Sequence, residues 1–238
     1  MEAGRQSAIP TRLFQGGNRL AASSHAYGVL LGLIVISLAF QLAAPDDGWA
    51  RLVTVALQSG TLLIALRISG ARPILVRVAA VLVVVALIGT TGVLVGTRDL
   101  GEEAGRGVGL MLAAHAPSAI AIGVIREIRA AGRVTLRAMF GVLCIYLLIG
   151  MLFAFAYGVI AALGDTPFFA QAAAETQSNF LYFSFTTQTT TGYGDLTAAT
   201  GLGRALAITE ALAGQIYLVT VVALMVSNFG RSRVAGRG

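Results

Sequence analysis

Six long apolar stretches constrain this chain more than any other feature of its sequence. A helix needs about 20 apolar residues to cross the hydrocarbon layer of a membrane, and each stretch is near that length. The 238 residues are 56% hydrophobic and 12% charged, which excludes an ordinary soluble domain. We therefore predict an all-α membrane protein. The six predicted spans are 26–44, 52–68, 74–95, 108–125, 138–163 and 202–229.

The charges between the spans predict their direction across the membrane. Acidic residues lie in the loops after the first and third spans, whereas arginines follow the second, fourth and sixth. Because arginine-rich connections favour the cytoplasm, both termini are predicted to be cytoplasmic, and the loop between spans five and six lies outside. The acidic residues are Asp46, Asp47, Asp99, Glu102 and Glu103, and the arginines after the fourth span are Arg126, Arg129, Arg133 and Arg137.

The net charge of +6 comes from arginines that are spread between apolar segments and form no single patch. This spread argues against nucleic-acid binding, which uses a clustered basic surface. The single cysteine, Cys144, excludes an intramolecular disulfide. The sequence has no Ser/His/Asp set, metal-ligand spacing or phosphate-binding loop that outweighs ordinary packing, so we expect neither enzyme activity nor a cofactor.

The predicted outer loop contains the run Thr189-Thr190-Thr191-Gly192-Tyr193-Gly194-Asp195. Its glycines can adopt a positive φ, so consecutive carbonyls can turn toward one side and replace water around a cation. On these residues, on the aromatic segment before them and on the apolar span after them, the chain resembles the potassium-channel family. The signature of that family is Thr-Val-Gly-Tyr-Gly followed by Asp. Thr191 stands where the family usually has Val or Ile.

The resemblance implies a pore helix and a filter loop that re-enter the membrane between two spanning helices, with four such subunits around one pore. In that arrangement the filter carbonyls bind K⁺, which is the permeant ion, and Asp195 concentrates cations at the outer mouth. Ser178 or Asn179 is predicted to cap the pore helix. The filter residues are Thr190, Thr191, Gly192, Tyr193 and Gly194, with K⁺ at the first four.

Three further residues are candidates for supporting the filter: Tyr182, Thr186 and Glu210. Thr186 stands where some family members carry a carboxylate that braces the aspartate, so Asp195 is held either by Tyr182 or by nothing. Glu210 lies within an apolar span, where ionisable groups are costly. It either braces the back of the filter or stays protonated.

The last span contains the candidates for the cavity and the gate. Gly214 falls where the family has a hinge glycine, and the alternative is that it permits close helix packing. The four residues Gln215, Leu218, Val222 and Val226 follow at steps of three, four and four, so a regular helix places them on one face. Gln215 is either a polar group below the filter or a hydrogen-bonding partner of a neighbouring helix.

The spans before the pore resemble those of voltage-gated channels in number. A voltage sensor needs several arginines within the fourth span, and 108–125 contains none. His115 in that span is either a packing residue or a pH sensor. We predict five parts. They are a cytoplasmic tail (1–25), a sensor-like four-helix domain (26–126), an amphipathic linker helix on the inner membrane face (127–137), a pore domain (138–229) and a short cytoplasmic tail (230–238). The last of these leaves no room for a ligand-binding domain.

Together these features predict a homotetrameric, potassium-selective channel that is embedded in the lipid of a bacterial cell membrane. The stimulus stays open among voltage, pH, lipid, tension and a constitutively open pore. One alternative is a weakly selective cation channel, because of Thr191. Another is a subunit of a potassium uptake transporter, a class that carries four filter loops in one chain where this chain has one.

Overall fold

The computed structural model describes residues 26–45, 47–68, 135–224 and 226–227, together with ten residues between 77 and 129. Most of the predicted third and fourth spans, His115, both predicted tails and most of the predicted linker lie outside the described residues. Within the described ranges the secondary structure is helical, apart from one antiparallel bridge. The helices are α1 (Ala26–Ala43), α2 (Gly48–Ile68), α3 (Leu136–Leu163), α4 (Gln177–Gln188) and α5 (Gly201–Ile216), and α5 continues into a π-helical segment (Tyr217–Val222).

Three of the described stretches are long and apolar enough to cross a membrane, namely Gly48–Ile68, Ala138–Leu163 and Gly201–Val222. A shorter apolar helix covers Tyr27–Ala43. These helices agree with an all-α membrane protein, and the count of six spans stays a prediction.

Threonine caps explain where three of the helices begin. The Oγ1 atoms of Thr135, Thr176 and Thr200 each accept a hydrogen bond from the backbone N–H three residues later, which satisfies one orphan donor of the first turn. The cap at Thr135 starts α3 two residues before the predicted start. The cap at Thr176 shows that Ser178 and Asn179 were the wrong choice for α4.

Ser178 and Asn179 have other partners. The Ser178 hydroxyl donates to the carbonyl of Leu42 at 3.1 Å, and the Asn179 side-chain amide donates to the carbonyl of Ala174 at 2.7 Å. The first of these bonds ties the start of α4 to the end of α1. Since α1 also packs against α3, the first apolar helix lies directly on the C-terminal part of its own chain.

An aromatic cluster holds α4 in place between α3 and the loops. Its ring centroids lie 5.1 to 5.8 Å apart in mostly edge-on or tilted pairs, which is the preferred geometry for aromatic side chains. The bridge between Phe169 and Ala198 joins the loop before α4 to the loop after it. The cluster consists of Tyr157, Phe168, Phe169, Phe180 and Phe183.

Candidate functional site

The run that follows α4 is anchored to the last turn of that helix by backbone hydrogen bonds. The N–H of Thr190 donates to the carbonyl of Thr187 at 2.9 Å. The N–H groups of Thr191 and Gly192 both donate to the carbonyl of Thr186, at 2.9 and 3.1 Å. Thr186 therefore holds the run through its backbone, while its hydroxyl donates to the carbonyl of Phe183 within the helix at 3.0 Å.

The backbone of the run alternates in the sign of φ. Thr190, Gly192 and Gly194 have φ values of 57°, 52° and 80°, and they are the only residues with positive φ in the part of the chain that the structure describes. In an extended strand successive carbonyls point to opposite sides, so a mirror-image conformation at every second residue turns them toward the same side. Thr190 is the costly member, because a side chain in the left-handed region raises the energy by about 1–2 kcal/mol. Such strain often marks a functional site.

The carbonyl oxygens of residues 190–193 are available to bind a ligand. Among the described residues, no backbone or side-chain donor forms a hydrogen bond with the carbonyl oxygens of residues 190–193. Residues 189–195 are all exposed in the single chain, and Tyr193 is 72% exposed. Buried backbone oxygens almost always have a partner. Once covered by neighbouring protein, these oxygens would need a ligand such as water or a cation.

Tyr182 connects the helix to the far end of the run in two ways. Its hydroxyl donates to Oδ2 of Asp195 at 2.8 Å, and its ring stacks on that of Tyr193 with centroids 6.4 Å apart and planes 7° apart. Of the two predicted alternatives for Asp195, the structure therefore contains the bond to Tyr182.

Thr191 finds a partner for its extra hydroxyl inside the chain. The hydroxyl of Thr189 donates to the carbonyl of Phe185 at 2.6 Å and lies 2.9 Å from Oγ1 of Thr191. A hydroxyl has one proton, so Thr189 accepts the second bond and Thr191 donates it. The Thr191 side chain is thus turned toward α4.

Helix α5 packs closely behind the end of α4. Gly214 is buried, and a Cβ atom placed there would lie 2.5 Å from the carbonyl oxygen of Gln188. The Gln188 side-chain amide in turn donates to the carbonyl of Tyr146 in α3 at 2.8 Å. This approach gives Gly214 a packing role, and its role as a hinge stays a prediction.

Glu210 is completely buried on the same side of α5, at 0% exposure. Its Oε2 lies 2.5 Å from the hydroxyl oxygen of Tyr157 in α3, and its Oε1 lies 2.5 Å from Oγ of Ser184 in α4. Glu210 therefore contacts both neighbouring helices behind the run.

The four residues predicted to line a cavity differ in solvent exposure in the single chain. Gln215, Leu218 and Val226 are exposed, whereas Val222 is half-buried against its own core. The π-helical segment also interrupts the 3.6-residue spacing that the prediction assumed, because its turns are wider than those of an α-helix. The assignment of these residues to a cavity and gate stays a prediction.

Three residues at this site were missed from the sequence: Tyr157, Ser184 and Gln188. Tyr157 and Ser184 lie 53 and 26 residues away from Glu210 along the chain, so no local spacing relates them to it. The available signal was Glu210 itself, because an acidic group in an apolar span requires polar partners on adjacent helices.

The part of the chain that contains this site is similar in sequence to a known protein family. Residues 141–231, which include most of α3, all of α4, the run and α5, match a family model described as ion channel. This segment is similar to ion channels. The match supports passive ion conduction across a membrane, and the family is not one of enzymes. No curated protein and no solved structure matches the chain.

Proposed function

We propose that the chain is one subunit of a homotetrameric, potassium-selective channel. The observation that carries the proposal is the backbone of residues 190–194, with its alternating sign of φ and its unbonded carbonyls. Rings of such carbonyls replace the hydration shell of K⁺ as it enters the pore. The ion-channel match of the segment that contains the run supports the same class of function.

In this proposal the carbonyls of Thr190, Thr191, Gly192 and Tyr193 form successive rings, and the Thr190 hydroxyl adds to the innermost one. One strand cannot surround an ion, so several copies must meet on an axis. Exposed apolar side chains along α5 fit that requirement, because a neighbouring subunit would cover them. These side chains are Leu202, Ile208, Leu212 and Ile216.

Electrostatics favour a cation at the run. The C-terminal end of a helix carries partial negative charge, and α4 has no basic residue in its last turn. Asp195 adds a carboxylate at the other end of the run, held by Tyr182. Both features raise the local concentration of cations.

For the remaining parts of the chain the proposal keeps the predicted division. It assigns residues 138–229 to the pore domain, 26–126 to a sensor-like domain, 127–137 to a linker, and 1–25 and 230–238 to cytoplasmic tails. The contact between α1 and α4 supports a direct connection from the N-terminal helices to the pore domain, through the bond from Ser178 to Leu42.

A weakly selective cation channel is the second candidate because of Thr191. The hydroxyl bond from Thr191 to Thr189 favours selectivity, since it directs the polar group away from the proposed ion path and braces the strand against α4.

Ion flux into lipid vesicles that contain the full chain tests the proposal. We expect K⁺ flux well above Na⁺ flux. Gly192→Ala should abolish the flux, because φ at 192 is +52° and a side chain there strains the backbone that orients the carbonyls. Gly201→Ala is the matched control, since nothing lies within 4 Å of its added Cβ. Equal K⁺ and Na⁺ flux contradicts selectivity, and flux that survives Gly192→Ala contradicts the site.

A further inference from the structure

The contacts of Glu210 indicate whether its carboxyl group carries a proton. The Ser184 hydroxyl oxygen lies 2.6 Å from the carbonyl oxygen of Gly150 and 2.5 Å from Oε1 of Glu210. Both distances are those of strong O–H···O hydrogen bonds. Each bond needs one proton between its two oxygens, and the pair of bonds therefore needs two protons.

Ser184 can supply only one of these protons, and a backbone carbonyl can supply none. The Gly150 oxygen must therefore accept from Ser184. The remaining bond then requires a proton on Oε1 of Glu210. If Glu210 were ionised, Ser184 could donate to only one of its two partners. Its oxygen would then face the oxygen of the other partner, either Gly150 or Glu210, at hydrogen-bonding distance with no proton between them.

Among the residues that the structure describes, none that faces Glu210 carries a charge to balance its ionised form. The described titratable groups nearest to it belong to α3 and are tyrosines: Tyr157, in direct contact, and Tyr146. From α4 it meets Ser184, which is neutral. On its own helix the described arginine, Arg204, is exposed. A buried carboxylate without a cationic partner is strongly disfavoured.

We propose that Glu210 is a neutral carboxylic acid that donates its proton to Ser184, and that this bond positions α4 behind the run of carbonyls. The chain of donors then has one direction: Tyr157 donates to Oε2 of Glu210, Oε1–H donates to Ser184, and Ser184 donates to Gly150. It joins α5, α4 and α3 at one point.

The positioning role rests on the proposed function. Ser184 lies one helical turn before Gln188, whose carbonyl contacts Gly214, and the run begins directly after it. Loss of the proton would reverse the Ser184 bond, release Gly150 and place a negative charge behind the run. Glu210 is thus a positioning residue that never touches the ion.

Infrared difference spectroscopy on the full chain in lipid bilayers tests the protonation directly. The spectrum of the unsubstituted chain minus that of Glu210→Gln should contain the C=O stretch of a protonated carboxyl group. The antisymmetric stretch of a carboxylate in its place overturns the proposal. In Ser184→Ala the carboxyl band should shift to higher frequency because its proton loses the acceptor, and an unshifted band contradicts the direction of the bond.

A glutamine at position 210 distinguishes a hydrogen-bonding role of Glu210 from a role in packing alone. The glutamine NH2 group can donate to Ser184 and its carbonyl oxygen can accept from Tyr157, so Glu210→Gln should stay close to the unsubstituted chain in unfolding. Glu210→Ala leaves buried groups without partners and should raise the unfolding equilibrium constant about 5- to 150-fold. Equal destabilisation by both substitutions contradicts a neutral acid.

The ratio of K⁺ to Na⁺ flux into vesicles then tests the positioning role. Glu210→Ala should lower this ratio more than Glu210→Gln, and an equal ratio in the two variants contradicts that role. Absence of K⁺ flux in the unsubstituted chain would count against the proposed function alone, because the infrared and unfolding results do not depend on conduction.

Discussion

Replacing Gly214 by alanine tests how closely α5 approaches the end of α4. The added Cβ would lie 2.5 Å from the carbonyl oxygen of Gln188 and 2.8 Å from its Cγ. Overpacking of this kind costs about 1–3 kcal/mol, and a backbone partner cannot rotate away. Alanine in place of a helical glycine recovers about 1 kcal/mol. We therefore expect a net destabilisation of up to about 2 kcal/mol, or a fall in Tm of up to about 8 °C for a chain of this size.

Thermal unfolding of the detergent-solubilised protein measures this change. Gly32→Ala is the matched control, because Gly32 is exposed on α1 and no described atom lies within 4 Å of its added Cβ. The control should keep or raise Tm through helix propensity alone. Gly214→Ala should also lower the ratio of K⁺ to Na⁺ flux, since displacement of Gln188 moves the start of the run. Equal Tm values for the two variants would refute the close approach.

Three further substitutions address the run and its contact with α4. Tyr182→Phe removes the bond to Asp195 and should lower Tm in thermal unfolding, whereas an unchanged Tm argues that the bond does not contribute to stability. Thr191→Val removes the bond to Thr189 and should cost about 0.5–1.5 kcal/mol while K⁺ selectivity is retained; a loss of selectivity contradicts the orientation of that side chain. Asp195→Asn should reduce K⁺ current more at low salt than at physiological salt, because the Debye length falls from about 30 Å at 0.01 M to about 8 Å at 0.15 M. An equal reduction at both salt concentrations argues against an electrostatic role.

Apolar length predicted the described long helices well, because hydrophobicity over about 20 residues is a local property of the sequence. The ends of α1, α2 and α3 fall within one residue of their predicted positions. The starts were less accurate: α2 begins four residues early, at Gly48, and α3 begins at its Thr135 cap. A cap depends on which polar side chain is free, and Ser178 and Asn179 were engaged elsewhere.

The positions of positive φ were predictable at Gly192 and Gly194 because glycine adopts them without steric cost. Thr190 was not predictable in this respect, since a threonine adopts such a conformation only where its surroundings impose it. Likewise, the π-helical segment after Ile216 was not predicted, because the prediction assumed a regular helix with 3.6 residues per turn. The partners of Glu210 depend on the packing of three helices and become visible only in the fold.

The reversal potential of the reconstituted full chain tests the central claim most directly. With K⁺ and Na⁺ in opposite gradients across a planar bilayer, the account predicts a reversal potential that follows the K⁺ gradient and does not move when the Na⁺ gradient is changed. A reversal potential that follows both cations equally would contradict it.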